Sequence, residues 1–111
     1  MEEEAVGIIV NGTFEISDEY QPRFIELLTP HLIAQLNDGC AYYSLAIDTV
    51  KTDLLRLIEG WRDKKALDDH LASDGVKAVQ KRMAEIPIRN YRMVIYTVTG
   101  QTNYSLPATS S

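Results

Sequence analysis

The sequence predicts an α+β fold with the element order β-α-β-β-α-β, and three observations carry that prediction. β-branched and aromatic runs lie near both ends of the chain and as a pair at its centre, apolar residues recur at helical spacing in the two stretches between them, and Gly, Pro, Asn and Asp punctuate the junctions. With 111 residues and 45% hydrophobic content, one core is expected, which gives a single domain over residues 1–100 and a tail over 101–111.

Residues 5–10 are apolar and β-branched apart from Gly7, and Thr13-Phe14 resumes the extended pattern after Asn11-Gly12, so a first strand buried on both faces is expected. Ser17-Asp18 offers an N-cap, Pro22 suits a first turn, and Phe24, Leu27, Leu28, Leu32 and Leu36 keep helical spacing, which predicts a helix over 18–37. Pro30 inside it removes a backbone donor and predicts a kink or break near Glu26 to Thr29. Asn37-Asp38-Gly39 supplies the stop. Residues 42–50 and 54–62 read as strands, and the polar Lys51-Thr52-Asp53 between them predicts a hairpin. Asp63 caps a second helical region that presents Ala66, Leu67, His70 and Leu71 on one face, and Ser73 restarts it with Val76, Val79, Met83 and Ile86 in register up to Pro87. Residues 90–99 form the last strand, and 100–111, polar apart from Tyr104 and Leu106, read as a loose tail or an arm onto a partner subunit.

This order is the ferredoxin-like arrangement, in which helices cover one face of a four-stranded antiparallel sheet and leave the other open. Strands apolar on both sides call for a second sheet on the open face, so the expectation is a homodimer in which two sheets form a dimeric α/β barrel. A domain this small buries only about two-thirds of its unfolded surface, which also favours pairing.

Sixteen acidic against eleven basic residues give a formal charge of −5, and no Lys/Arg cluster is long enough to track a phosphate backbone, so nucleic acid is not an expected partner. Cys40 is the single cysteine, which rules out an intrachain disulfide and fits a reducing cytoplasm. Met1-Glu2-Glu3-Glu4 is the opposite of a signal peptide's basic start, and no apolar run approaches the ~20 residues of a membrane span, so no membrane association is expected. No Gly-rich phosphate loop, haem ligand set or metal cluster is visible, and no cofactor is expected.

Alternation along the third strand puts Leu55, Leu57, Glu59 and Trp61 on one face and Leu54, Arg56, Ile58 and Gly60 on the other, so a carboxylate and an indole project side by side. An isolated buried carboxylate is costly. Glu59 is therefore either a substrate-binding group in a cavity or a carboxylate satisfied by an Arg of a neighbouring strand while Trp61 fills core. His70 lies nine residues after Trp61, on the apolar face of the next helix. It is either a packed, hydrogen-bonded core residue or a proton acceptor titrating near neutrality. Asn11, set among aliphatic residues, either donates to a ligand oxygen or serves an Asn11-Gly12 bulge. His31 has no visible companion and reads as surface.

The segment Glu59-Gly60-Trp61-Arg62-Asp63-Lys64-Lys65-Ala66-Leu67-Asp68-Asp69-His70-Leu71-Ala72-Ser73 resembles the E-x-W-x-D-x-x-A-L-x-x-H-x-x-S signature of the antibiotic-biosynthesis-monooxygenase family, and Gly39-Cys40-Ala41-Tyr42-Tyr43 is similar to that family's G-C-x-x-Y opening of strand two. The resemblance spans about residues 5–99. It implies a homodimeric barrel with one cavity per subunit between sheet and helices. It also implies oxygenation of electron-rich aromatics, such as quinols and polyketide anthrones, by O2 without flavin, haem or metal, the deprotonated substrate supplying the electrons. In that reading Asn11 orients a substrate oxygen, Trp61 walls the aromatic ring and His70 assists proton removal. Haem-degrading relatives pair an Asn with a Trp and an axial His; His70 and Gln80 stand at the corresponding Trp and His positions here, which disfavours haem. The competing reading is a non-catalytic dimeric barrel that binds a small hydrophobic ligand or a partner protein.

Overall fold

The computed structural model describes residues 5–107; the acidic opening and the end of the tail lie outside the described residues. Its elements are β1 (Ile8–Glu15), α1 (Gln21–Gln35), a 3-10 turn (Leu36–Asp38), β2 (Cys40–Ile47), β3 (Leu54–Trp61), α2 (Lys64–Leu71), α3 (Asp74–Met83) and β4 (Asn90–Thr97). The four strands form one antiparallel sheet in the order β2-β3-β1-β4. This is the α+β, ferredoxin-like fold expected from the sequence. No helix among the described residues is long and apolar enough to cross a membrane.

The β1 strand removes one of the two alternatives for Asn11 and corrects one expectation. It is unbroken, with Asn11 opposite Ile58 and Gly12 opposite Leu57, so there is no bulge at Asn11-Gly12; the sheet's irregularity lies between Cys40 and Tyr42 instead. Nor is it buried on both faces: Ile8, Val10, Gly12 and Phe14 are buried while Asn11 is exposed. The alternation arises because the helices cover one side only.

Two apolar clusters occupy the helix-covered side. One gathers Phe14, Phe24, Leu28, Leu32, Leu55, Leu57 and Ile86 beneath α1, and the other gathers Ile8, Val10, Cys40, Trp61, Ala66 and Leu67 beneath α2. On β3 the transition from the first to the second falls at Glu59, between Leu57 and Trp61.

The expected Ser17-Asp18 cap is not used, since α1 starts behind Tyr20 with no side-chain cap, but the later helix starts follow their capping chemistry. The Asp63 side chain accepts from the Ala66 N–H at 2.8 Å and Ser73 Oγ accepts from the Val76 N–H at 3.3 Å, so the second helical region is two helices hinged at Ala72-Ser73. Of the kink or break expected at Pro30, the break is not there, and α1 runs through it. The Thr29 hydroxyl donates to the Ile25 carbonyl at 2.7 Å, and Pro30 and Glu26 lie on the exposed face, where a carbonyl deprived of its partner is hydrated. Gly39 ends the 3-10 turn at φ 99°, and a Cβ there would meet the Ala66 Cβ at 2.8 Å. That close approach seats the start of α2 against the entry to β2, and so sets where His70, one turn further on, comes to rest.

The opposite side of the sheet is uncovered. It carries Ile9, Ile58, Val94, Tyr42 and Tyr96 together with the polar Asn11, Thr13, Ser44, Arg56 and Arg92, as the pairing register requires. β4 is also uncovered on its helix side, where Tyr91, Met93 and Ile95 are exposed. Residues 98–107 form no helix or strand, and Tyr104 and Leu106 are exposed.

Candidate active site

β3 delivers Glu59 and Trp61 to the helix side of the sheet, and both are buried, Trp61 completely. The carboxylate is held by two neutral donors: Trp61 Nε1 donates to Oε1 at 3.0 Å, and Gln35 Nε2 donates to Oε2 at 3.0 Å. The alternative in which an Arg of a neighbouring strand satisfies Glu59 does not hold, because α1 rather than a strand supplies the second donor. Both oxygens of Glu59 are thus engaged by protein groups.

His70, on the buried face of α2, packs its ring against Trp61 with centroids 4.7 Å apart and an interplanar angle of 40°. On its other side stands His31 of α1, at 5.0 Å and 38°. Glu59, Trp61, His70 and His31 therefore form one row from the sheet outward. Burial, and secondarily the His31 ring, pushes the His70 pKa below its usual value, against the opposing pull of Glu59 and Asp38. The nearest Asp38 oxygen is 3.9 Å from Nδ1, beyond hydrogen-bond reach, and its side chain is 61% exposed, so desolvation prevails and the imidazole is neutral near pH 7. Nδ1 is buried without a hydrogen-bond partner, as is Gln35 Oε1.

Two clefts flank the imidazole pair. The larger, of about 690 Å³, runs between α1 and α3 with Leu27, Pro30, Val79 and Ile86 as apolar wall, Arg23 and Arg82 as cations, and His31 at its edge. The smaller, of about 310 Å³, is lined by His70 with Asp38, Arg62, Asp69 and Ser73. Both volumes lie in the range of small-molecule sites, about 300–1,000 Å³. Among the described residues no three His, Cys, Asp or Glu side chains cluster as a metal would need.

Of the residues singled out in the sequence, Glu59, Trp61 and His70 come together, and Asn11 does not join them. Asn11 stands on the uncovered face, beside Ile58 and Val94, where it lines a separate depression of about 410 Å³ with Arg56, Arg92 and Tyr96. His31 is not plain surface: it is half-buried and stacked on His70. Gln35 escaped the sequence reading, although a polar residue at the end of the Leu28, Leu32, Gln35 stripe was the available signal.

The family description "Antibiotic biosynthesis monooxygenase" matches residues 7–82. The chain belongs to the antibiotic biosynthesis monooxygenase family. Among solved structures, a Deinococcus radiodurans protein proposed to be an antibiotic biosynthesis monooxygenase superposes with a TM-score of 0.81 at 23% identity, over 88% of this chain and 98% of that one. SnoaB of Streptomyces nogalater, described as a cofactor-independent oxygenase, gives 0.74 at 14% identity, over 87% and 97%. A conserved protein of Methanosarcina mazei gives 0.73 at 24%, over 86% and 95%. At these identities the likeness is one of fold. No curated protein matches the chain. The matched residues of the antibiotic biosynthesis monooxygenase model include His31, Glu59, Trp61 and His70.

Proposed function

We propose that the chain is a cofactor-independent monooxygenase that oxidises a small hydroxylated aromatic of quinol or anthrone type with O2. The observation that carries this reading is the stack of Trp61, His70 and His31, with His70 held neutral by burial and its Nδ1 left without a partner. A neutral imidazole can accept a proton from an acidic hydroxyl, which yields the electron-rich phenolate that O2 attacks. The proton taken from the substrate is taken up by the imidazole pair of His31 and His70. Trp61 gives that pair an aromatic backing, and Glu59, engaged by Gln35 and Trp61, orients the indole and supports a positive charge on His70.

The functional form in this reading is a homodimer. The uncovered face carries Ile58, Tyr42 and Tyr96 partly exposed, and β4 adds Tyr91, Met93 and Ile95 on its other side. Packing a second sheet on the uncovered face would bury Ile58, Tyr42 and Tyr96 and enclose Asn11 between the two sheets, where its amide is available to a ligand oxygen.

Oxygen uptake with a panel of quinols and anthrones tests the function. Wild type is expected to consume O2 and His70→Ala to lose about 10²–10⁴ in kcat. A folded wild-type protein that consumes none with any of them supports the binding-module reading instead.

A further inference from the structure

The row of aromatic rings ends not in the core but at the edge of the larger cleft. His70 is 8% exposed and its Nδ1 is wholly enclosed, and Trp61 has no exposed surface. Neither can touch a molecule lying between α1 and α3. His31 can: it is half-buried, lines that cleft, and stacks its other face on His70 at 5.0 Å.

We propose that His31 is the catalytic residue that meets the substrate, taking the proton of a hydroxyl bound in the α1–α3 cleft, and that His31 and His70 together hold a single proton. The inference rests on the monooxygenase reading above. In the step, the substrate O–H bond breaks, an N–H bond forms on His31, and the electron pair stays on the substrate oxygen as phenolate. His70 acts behind it as a positioning residue.

The charges around the pair support this division. On the cleft side His31 faces Arg23 and Glu26 from α1 and Arg82 and Glu85 from α3 and the residues after it, two cations and two carboxylates that balance. On the inner side Asp38 of the 3-10 turn and Glu59 of β3 act on His70. The two ring centroids lie 5.0 Å apart, and two imidazolium rings at this separation repel. A substrate proton therefore lands on a pair that accepts one and rejects a second. The wall of Leu27, Pro30, Val79 and Ile86 suits an aromatic ring, and Arg23 and Arg82 suit the phenolate formed on it.

The test combines imidazole-resolved NMR titration with oxygen uptake, using wild type, His31→Gln, His31→Ala and His70→Ala at matched helicity by circular dichroism. Replacing His31 by Gln should raise the titration midpoint of His70, because a like-charged neighbour is removed. The same variant should lower kcat at least about 100-fold with KM little changed, and free imidazole should restore turnover to His31→Ala, whose side chain lines the substrate cleft. Uptake by His31→Gln within about twofold of an active wild type, or a His70 midpoint that does not move, overturns the proposal while leaving the monooxygenase reading standing. Absence of uptake in wild type itself overturns both.

Discussion

Glu59 offers a direct way to separate what a residue holds together from what its charge does. Its two oxygens accept from Trp61 Nε1 and Gln35 Nε2, and no cation is hydrogen-bonded to it. Replacement by Leu strands Trp61 Nε1 in the core and leaves Gln35 Nε2 only the weak acceptor Cys40 Sγ at 3.5 Å; at about 1–3 kcal/mol for each, the cost is about 2–6 kcal/mol before relief from no longer burying a charge. Replacement by Gln is different. A half-turn of the Gln35 amide would present its Oε1, now without a partner, to the introduced amide N–H, while the carbonyl of the introduced side chain would still accept from Trp61. Glu59→Gln should then lie within about 1 kcal/mol of wild type, or about 4 °C in Tm, while Glu59→Leu falls by at least about 8 °C. The amide keeps the shape and removes the negative charge, which is one of the influences that raise the His70 pKa. The His70 titration midpoint should therefore move to lower pH in Glu59→Gln, and any acidic limb of the rate profile should move with it. Urea or thermal denaturation measures the first effect and NMR titration the second. Equal destabilisation by Gln and Leu, or an unmoved His70 midpoint in the amide variant, would refute the reasoning.

Two further outcomes follow from the fold. Sedimentation at micromolar concentration should give twice the 12.5 kDa chain mass, and Ile58→Lys on the uncovered face should shift the equilibrium toward the monomer; a stable wild-type monomer would sink the barrel. Gly39→Ala should destabilise the protein by about 1–3 kcal/mol in denaturant, because φ 99° disfavours a side chain and the added Cβ meets that of Ala66; Gly100→Ala, with open space around it, serves as the neutral control.

Much of the fold was legible because its signals are local. The caps at Asp63 and Ser73, the stop at Gly39 and the alternation that puts Leu55, Leu57, Glu59 and Trp61 on one face of β3 each depend on residues a few positions apart, and each stands as expected. Parity along a strand says which residues share a face but not which face the helices cover, and so Asn11 was grouped with side chains that lie across the sheet from it. The partners of the site are likewise remote in sequence: Gln35 reaches Glu59 across 24 positions, and His31 meets His70 only because α1 and α2 converge above β3. Periodicity carries no information about such meetings. Pro30 leaves α1 unbroken for a related reason, since the cost of a lost donor depends on whether that turn faces water, which tertiary packing decides.

The carboxylate set between two apolar clusters has a consequence for how the sheet assembles. Sliding β3 along β1 by two residues would preserve inside and outside, and Leu55, Leu57 and Trp61 would each still find an apolar environment, so burial alone discriminates weakly between such alignments. Glu59 breaks the degeneracy. It faces Val10 in the native pairing; a two-residue slip would bring it opposite Ile8 or Gly12, away from the Gln35 amide on α1 that supplies one of its two donors. An ionised side chain without that donor would be too costly to keep buried. The same group that orients Trp61 in the finished protein thus acts, while the chain is folding, as the index mark by which strand and helix find their alignment.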